Sequence, residues 1–298
     1  MSWRILYVES TDNLSLNLDN LNIKRDGENI KIPISDLHTV ILDNYKINLS
    51  VHLINALTKE NVNLVLCGID HLPQSVIHPV AGHHQAFLQL MFQFNWSLKV
   101  KQKIQQLIVK NKIENQVRLL KYLGLDTPTI TALEYFHNEV EKGDATNREG
   151  LSAKMYFRTL FGDKFKRFNE DTMNAGLNYG YAILRSQITK VVIAKGYNPA
   201  IGIFHIGRNN PYNLSDDLIE VFRPIIDFWV YKHLKEEKIF LREHRLKLIE
   251  QTTKNVIING NNQTIFNAIN IYVDAIHKCF EQEKTSYFKK VNLEFDKL

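Results

Sequence analysis

The spacing of apolar residues changes period once along this chain. Up to Cys67 they fall in short runs, several alternating one for one with polar residues, as in Leu14-Ser15-Leu16-Asn17-Leu18. That is the period of strands with one buried face. The runs predict strands over 3–9, 14–18, 21–24, 30–34, 39–42 and 62–67, with Asp26-Gly27 as a hairpin turn between two of them. Ser50 stands where it can cap a helix whose Val51, Leu53, Ile54 and Leu57 share a face.

Near Gln85 the period becomes helical. Phe87, Leu88, Met91, Phe92 and Trp96 recur three to five residues apart, and Lys99–Lys121 continues as a helix with a basic outer face. Asp126-Thr127-Pro128 restarts the pattern, since proline suits a first helical turn. Helices are predicted over 131–142, ended by Gly143, over 145–161, and over 172–195, ended by Gly196. A polar loop, His205–Asn213, opens into a helix over 214–235 that Pro224 can kink. Asn259-Gly260-Asn261-Asn262 is a tight turn before a last helix, 265–281. The expected class is α+β, with a small β-rich domain over 1–78 followed by a larger all-α domain over 79–298. A chain of 298 residues suffices for two domains of about 150 residues each.

Composition narrows the class further. Hydrophobic residues make up 44% and charged residues 23%, as in ordinary globular proteins. No run approaches the roughly 20 apolar residues of a membrane helix, and Met1–Tyr7 lacks the layout of a signal peptide. A cytoplasmic protein with no membrane partner is expected. Cys67 and Cys279 both sit in apolar surroundings and read as core, not as a disulfide framework or a structural metal site. A net charge of +5 permits a polyanionic partner without requiring one. No glycine-rich phosphate cradle and no dinucleotide fingerprint are present.

Three segments of the second domain concentrate polar residues: Asn147-Arg148-Glu149-Gly150, Gly202 to Pro211 including His205 and Arg208, and Asp216 to Pro224. Gly150 inside a helix costs about 1 kcal/mol relative to alanine, which close approach by another backbone or a substrate would justify. On a helix, Asp217, Glu220 and Arg223 share one face, two carboxylates followed by a guanidinium. With His205 and Glu149 they would form a carboxylate–imidazole set that suits Mg²⁺ or Mn²⁺ better than Zn²⁺. Each residue also has a plainer reading. Glu149 can be a solvated helix residue, His205 a hydrogen-bonded structural histidine, and Asp216 and Asp217 first-turn acids on a helix capped by Asn213 or Ser215. The residues alone leave both readings open. His78, His83 and His84 lack nearby carboxylates and read as a turn or a DNA-facing surface. Lys99, Lys101, Lys103, Lys110 and Lys112 read as a solvated face that could also follow a DNA backbone. Tyr179 and Tyr181 read as core, with hydroxyls within possible reach of substrate.

Taken together, these segments resemble the CRISPR-associated spacer-acquisition integrase and endonuclease family. The likeness rests on Arg148-Glu149-Gly150, Leu177-Asn178-Tyr179-Gly180-Tyr181, Gly196-Tyr197-Asn198-Pro199 through His205, and Leu214 to Asp227. It extends over essentially the whole chain, and the overall length and the loop before Leu214 look most like the type II branch. The resemblance implies Glu149, His205 and Glu220 as catalytic metal ligands for Mg²⁺ or Mn²⁺, Asp217 as a support behind them, and Arg208 and Arg223 near DNA. It implies dimers formed through the β domain and a complex with a small CRISPR-associated partner dimer. The implied reaction joins the 3′-hydroxyl of a short double-stranded DNA, the spacer precursor, to a phosphodiester at the leader–repeat boundary. Against it stand a non-catalytic basic DNA-binding scaffold and a metallohydrolase of small phosphate esters.

Overall fold

The computed structural model describes residues 4–10, 13–25, 27–80 and 82–297. Trp3 of the expected first strand and Asp26 of the expected turn lie outside the described residues. The chain separates into two compact units, one comprising residues 1–89 with Ile193–Tyr197, the other residues 90–192 with 198–298.

The first unit is built on two four-stranded sheets. In one, β1 (Arg4–Val8), β5 (Leu37–Leu42) and β7 (Asn63–Cys67) run parallel, and β8 (Pro73–Ile77) closes the edge antiparallel. Every residue of β5 is buried, as expected of a central parallel strand covered on both faces. In the other, β2 (Asn13–Asn17), β3 (Asn20–Arg25) and β4 (Glu28–Pro33) form an antiparallel meander, with β6 (Asn48–Leu49) beside β2. Helix α1 (Val51–Lys59) begins at Ser50, whose side chain accepts from Leu53 N, and buries Leu53 and Leu57. These two leucines join Leu14, Leu21, Val40 and Leu64 in one core. The short β6 and the polar β8 carry too few apolar residues to register in the sequence pattern.

The second unit is helical. After α2 (Ala86–Phe94), the 25-residue α3 (Leu98–Tyr122) runs through its centre, followed by α4 (Thr127–Glu139), α5 (Arg148–Phe161) and α6 (Thr172–Ala194). Where the sequence predicts one helix over 214–235, the structure has two: α7 (Asn213–Ile219) and α8 (Arg223–His233). Pro224 sits in the first turn of α8, where its missing N–H is harmless. α9 (Arg242–Gln251) and α10 (Ile265–Glu281) complete the set. Gly176 and Gly180, four apart on α6, leave no Cβ to collide with Leu234 and Ile226, so that α6 and α8 approach closely.

The helical unit also contains a three-stranded antiparallel sheet of β9 (Asn255–Ile258), β10 (Asn261–Thr264) and β11 (Val291–Asn292), an addition to the all-α expectation. The Asn259-Gly260 turn is the hairpin between its first two strands. Two buried asparagines of α3 hold the chain on either side of β11. Asn111 Nδ2 donates to Val291 O at 2.8 Å and its Oδ1 accepts from Val291 N at 2.9 Å. Asn115 accepts from Leu293 N at 3.3 Å.

Candidate metal centre

The expected basic outer face of α3 is interrupted in its C-terminal half, where Lys112 is buried while Arg118 and Lys121 stay accessible. Asn111, Lys112, Asn115 and Gln116 are buried between Ile108, Val109, Ile113 and Val117. Lys101, Lys103 and Lys110 are half-buried, and their ammonium groups reach Gly202 O, Gln106 Oε1 and Asn138 O. Lys112 is not a solvated lysine. Its Nζ lies 2.8 Å from Glu149 Oε1 and 2.6 Å from Glu220 Oε2. Sequence reasoning placed it on the outside because the basic spacing concealed the apolar ring around it. The uncharged amides at 111, 115 and 116, set among Ile108, Val109, Ile113 and Val117, are the signal available in the sequence.

Each carboxylate reaches this lysine by a local device. Asn147 caps α5 with its side chain on Gly150 N, and Asp144 accepts from Arg148 N and Glu149 N at 2.9 and 3.0 Å, fixing the turn that presents Glu149. Gly150 therefore lies in the first turn of the helix, and what crowds it is the Asn147 cap. Glu220 lies in the break between α7 and α8. The neighbouring Val221 carbonyl accepts from Asn115 Nδ2 at 2.9 Å, which steadies that break. Glu220 is only 3% exposed. Arg223 Nη2 pairs with its Oε1 at 3.2 Å, while Oε2 touches Lys112 without satisfying a directional hydrogen bond. Two cations surround Glu220, but burial still opposes its charge as the largest single influence. Arg223 and Lys112 outweigh it and hold the carboxyl below its usual range.

His205 is placed by Asp217. The carboxylate of Asp217, fully buried, accepts from His205 N at 2.9 Å, from His205 Nδ1 at 2.7 Å, from Phe204 N at 3.3 Å and from Ile203 N. Burial pushes the Asp217 carboxyl up despite these donors. With Nδ1 engaged, Nε2 is the nitrogen presented to a ligand. Burial pulls the imidazole down, but the Asp217 hydrogen bond and charge, joined by Glu220 and Glu149, raise it overall. Asn213 opens α7 and serves as a clamp on the preceding loop, not as the cap: it bonds Ala200 O, Gly207 O and Gly207 N. Ser215, the other candidate cap, pairs instead with Thr189.

The donor set fits a hard divalent ion. Two carboxylates flank one cation position, and an imidazole within their electrostatic reach is oriented by a third carboxylate. With Lys112 between the glutamates, no three His, Cys, Asp or Glu side chains converge on one point among the described residues. Arg223 is half-buried, lies 4.8 Å from the centre of the Tyr181 ring, and has a buried Nε–H without a bonded partner. Arg208 is exposed on the loop. The rings of His83 and His84 lie tilted against each other with centres 4.6 Å apart, and burial lowers the pKa of His78 to about 4.

Behind Arg223, buried Asp227 accepts from Tyr156 Oη at 2.8 Å and from the Tyr181 hydroxyl. That bond engages the Tyr181 hydroxyl within the core. Burial raises Asp227 to about 6. The folded state thus holds this proton more tightly than the unfolded chain. Stability contributed at low pH is lost as pH rises from about 4 to about 6, then levels. Asp227→Asn does not titrate there. Its stability relative to wild type should improve by roughly 2–3 kcal/mol between pH 4 and pH 7, read from urea melts at both values. A pH-independent difference would contradict this account.

The chain belongs to the Cas1 family: the family model for CRISPR associated protein Cas1 matches residues 6–259. It is 36% identical over 237 residues to the CRISPR-associated endonuclease Cas1 of Neisseria meningitidis serogroup C, covering 80% of this chain and 77% of that protein. The fold is similar to a Cas1 protein from Thermotoga maritima (TM-score 0.75, 14% identity, 93% and 97% of the two chains). It is also similar to a casposase bound to integration product (TM-score 0.73, 18% identity, 95% and 92%). No helix among the described residues is long and apolar enough to cross a membrane.

Proposed function

We propose that this chain is a divalent-metal-dependent DNA endonuclease and integrase of CRISPR adaptation, acting through Glu149, His205 and Glu220. The observation that carries the reading is the pair of carboxylates brought from separate elements to either side of one cation position, beside a histidine locked by Asp217. A bound Mg²⁺ or Mn²⁺ held by Glu149, His205 Nε2 and Glu220 would polarise a phosphoryl oxygen and lower the cost of the charge that develops there. Asp217 keeps the imidazole in one orientation, and Arg223, partly exposed beside Glu220, brings a guanidinium to the side of the centre where a substrate phosphate would lie. The nucleophile is a DNA 3′-hydroxyl. Its oxygen bonds to the phosphorus as the existing P–O bond breaks, and its proton ends on the departing 3′-oxygen. One phosphodiester replaces another, so no external energy source is needed.

The same proposal assigns the β-rich unit to homodimerisation and gives the complex a small CRISPR-associated partner dimer. A Cas1-like chain is part of a solved Cas6-RT-Cas1–Cas2 complex (TM-score 0.74, 18% identity, 96% of this chain and 36% of that one), a likeness of fold. One observation favours the non-catalytic scaffold instead: Lys112 already supplies a positive charge to both glutamates without any metal. Strand joining decides between them. Duplexes with free 3′-hydroxyl ends, a repeat-bearing plasmid and the partner protein should give joined product with Mn²⁺ or Mg²⁺ and background levels with EDTA. Joining that survives chelation refutes metal dependence. Salt-sensitive binding with no joining under either condition supports the scaffold.

A further inference from the structure

Lys112 is the one residue of the cluster that the proposed chemistry leaves without a task. It is 8% exposed, and its ammonium lies within 3 Å of an oxygen on each of Glu149 and Glu220. Both glutamates belong to the proposed ion site. A buried and a half-buried carboxylate facing each other with no cation between them would repel, and Glu220 would also lack its lost hydration. The lysine supplies that cation at an effective concentration no free ion matches, because it is tethered to the central helix. An ammonium and a metal ion cannot both lie between the same two oxygens.

Resting on the metal-centre reading above, we infer that Lys112 is a built-in counter-cation: it holds Glu149 and Glu220 together in the ion-free protein and leaves when a divalent ion enters. The protein therefore folds its centre before it has an ion, and ion uptake is an exchange of charge in which Lys112 is a competitor, not a ligand. Loading weakens because a tethered charge must first be moved. In return, the ion-free centre does not fly apart. A merely structural lysine would affect melting equally with and without the ion and would leave ion affinity alone.

The test compares full-length wild type with Lys112→Met and Lys112→Gln. Mn²⁺ binding is measured by calorimetry, and melting is followed with and without Mn²⁺. The neutral variants should bind Mn²⁺ at least tenfold more tightly. They should melt lower than wild type without the ion and recover most of that loss when it is added, since a ligand's stabilisation rises with the logarithm of its affinity for the folded state. Equal or weaker Mn²⁺ binding by the variants overturns the inference. Glu220→Gln serves as the control. If wild-type Mn²⁺ binding does not depend on Glu220, the metal-centre reading itself fails and this one with it. If it does depend on Glu220 and the Lys112 variants are unchanged, only the exchange is wrong. Should neither variant fold, the wild-type Lys112 ammonium resonance decides: Mg²⁺ must shift it, and a resonance that Mg²⁺ leaves in place overturns the exchange.

Discussion

Replacing Glu220 by glutamine is expected to abolish strand joining while the protein still folds. The side chain is 3% exposed and is the meeting point of Lys112 and Arg223. Glutamine keeps its volume but removes one negative charge from the proposed ion's surroundings. Charge stabilisation of this kind contributes several kcal/mol in the transition state, and each 1.36 kcal/mol is tenfold in rate. A fall of about a thousandfold or more follows. The structure bears a smaller cost, on the order of 1–3 kcal/mol, as two cations lose part of their compensation. Rates from a gel-based joining assay, set beside a urea melt, separate the two effects. A variant that joins at more than a tenth of the wild-type rate would remove Glu220 from the chemistry.

The second large effect is on the fold as well as the site. Asp217→Ala removes the acceptor for three backbone N–H groups and one imidazole nitrogen, all gathered on a single fully buried carboxylate. Each buried donor left unsatisfied costs about 1–3 kcal/mol. Even with partial relaxation the loss should reach roughly 4 kcal/mol, and His205 should lose its fixed orientation. Partners behind metal-binding histidines typically contribute about 10- to 100-fold in metal affinity or activity, so joining should fall by that factor in molecules that remain folded. Denaturant melts and Mn²⁺ titration check both parts. A loss under 1 kcal/mol would show that the 203–205 segment is held by something other than Asp217.

How far could the sequence be read? Elements with strong periodicity were legible: β5, α1, α6 and α10 stand where the apolar spacing puts them. The break at Glu220 was half legible, because Pro224 signals an interruption but not that the chain leaves the helix at 220 and re-enters it at 223. β9 and β10 were visible only through the turn between them, since four-residue strands give no usable period. The glutamates and His205 were legible through family likeness. From residue type alone a single Glu on a helix looks like any other. Lys112 was misread for a physical reason: a lysine is exposed by default, and only a buried acidic partner overturns that default. Its partners lie 37 and 108 residues away, beyond any local pattern.

Asn111 and Asn115 bracket Lys112 on α3, and they are also the residues that fasten Val291 and Leu293. Asn115 reaches in addition to Val221, next to Glu220. The last strand of the chain is thus one helical turn removed from the carboxylates. Anyone grafting the C-terminal end from a relative, or fusing a reporter there, is working on the foundations of the acidic cluster, and a safe splice must leave 291–293 matched to the helix that grips it.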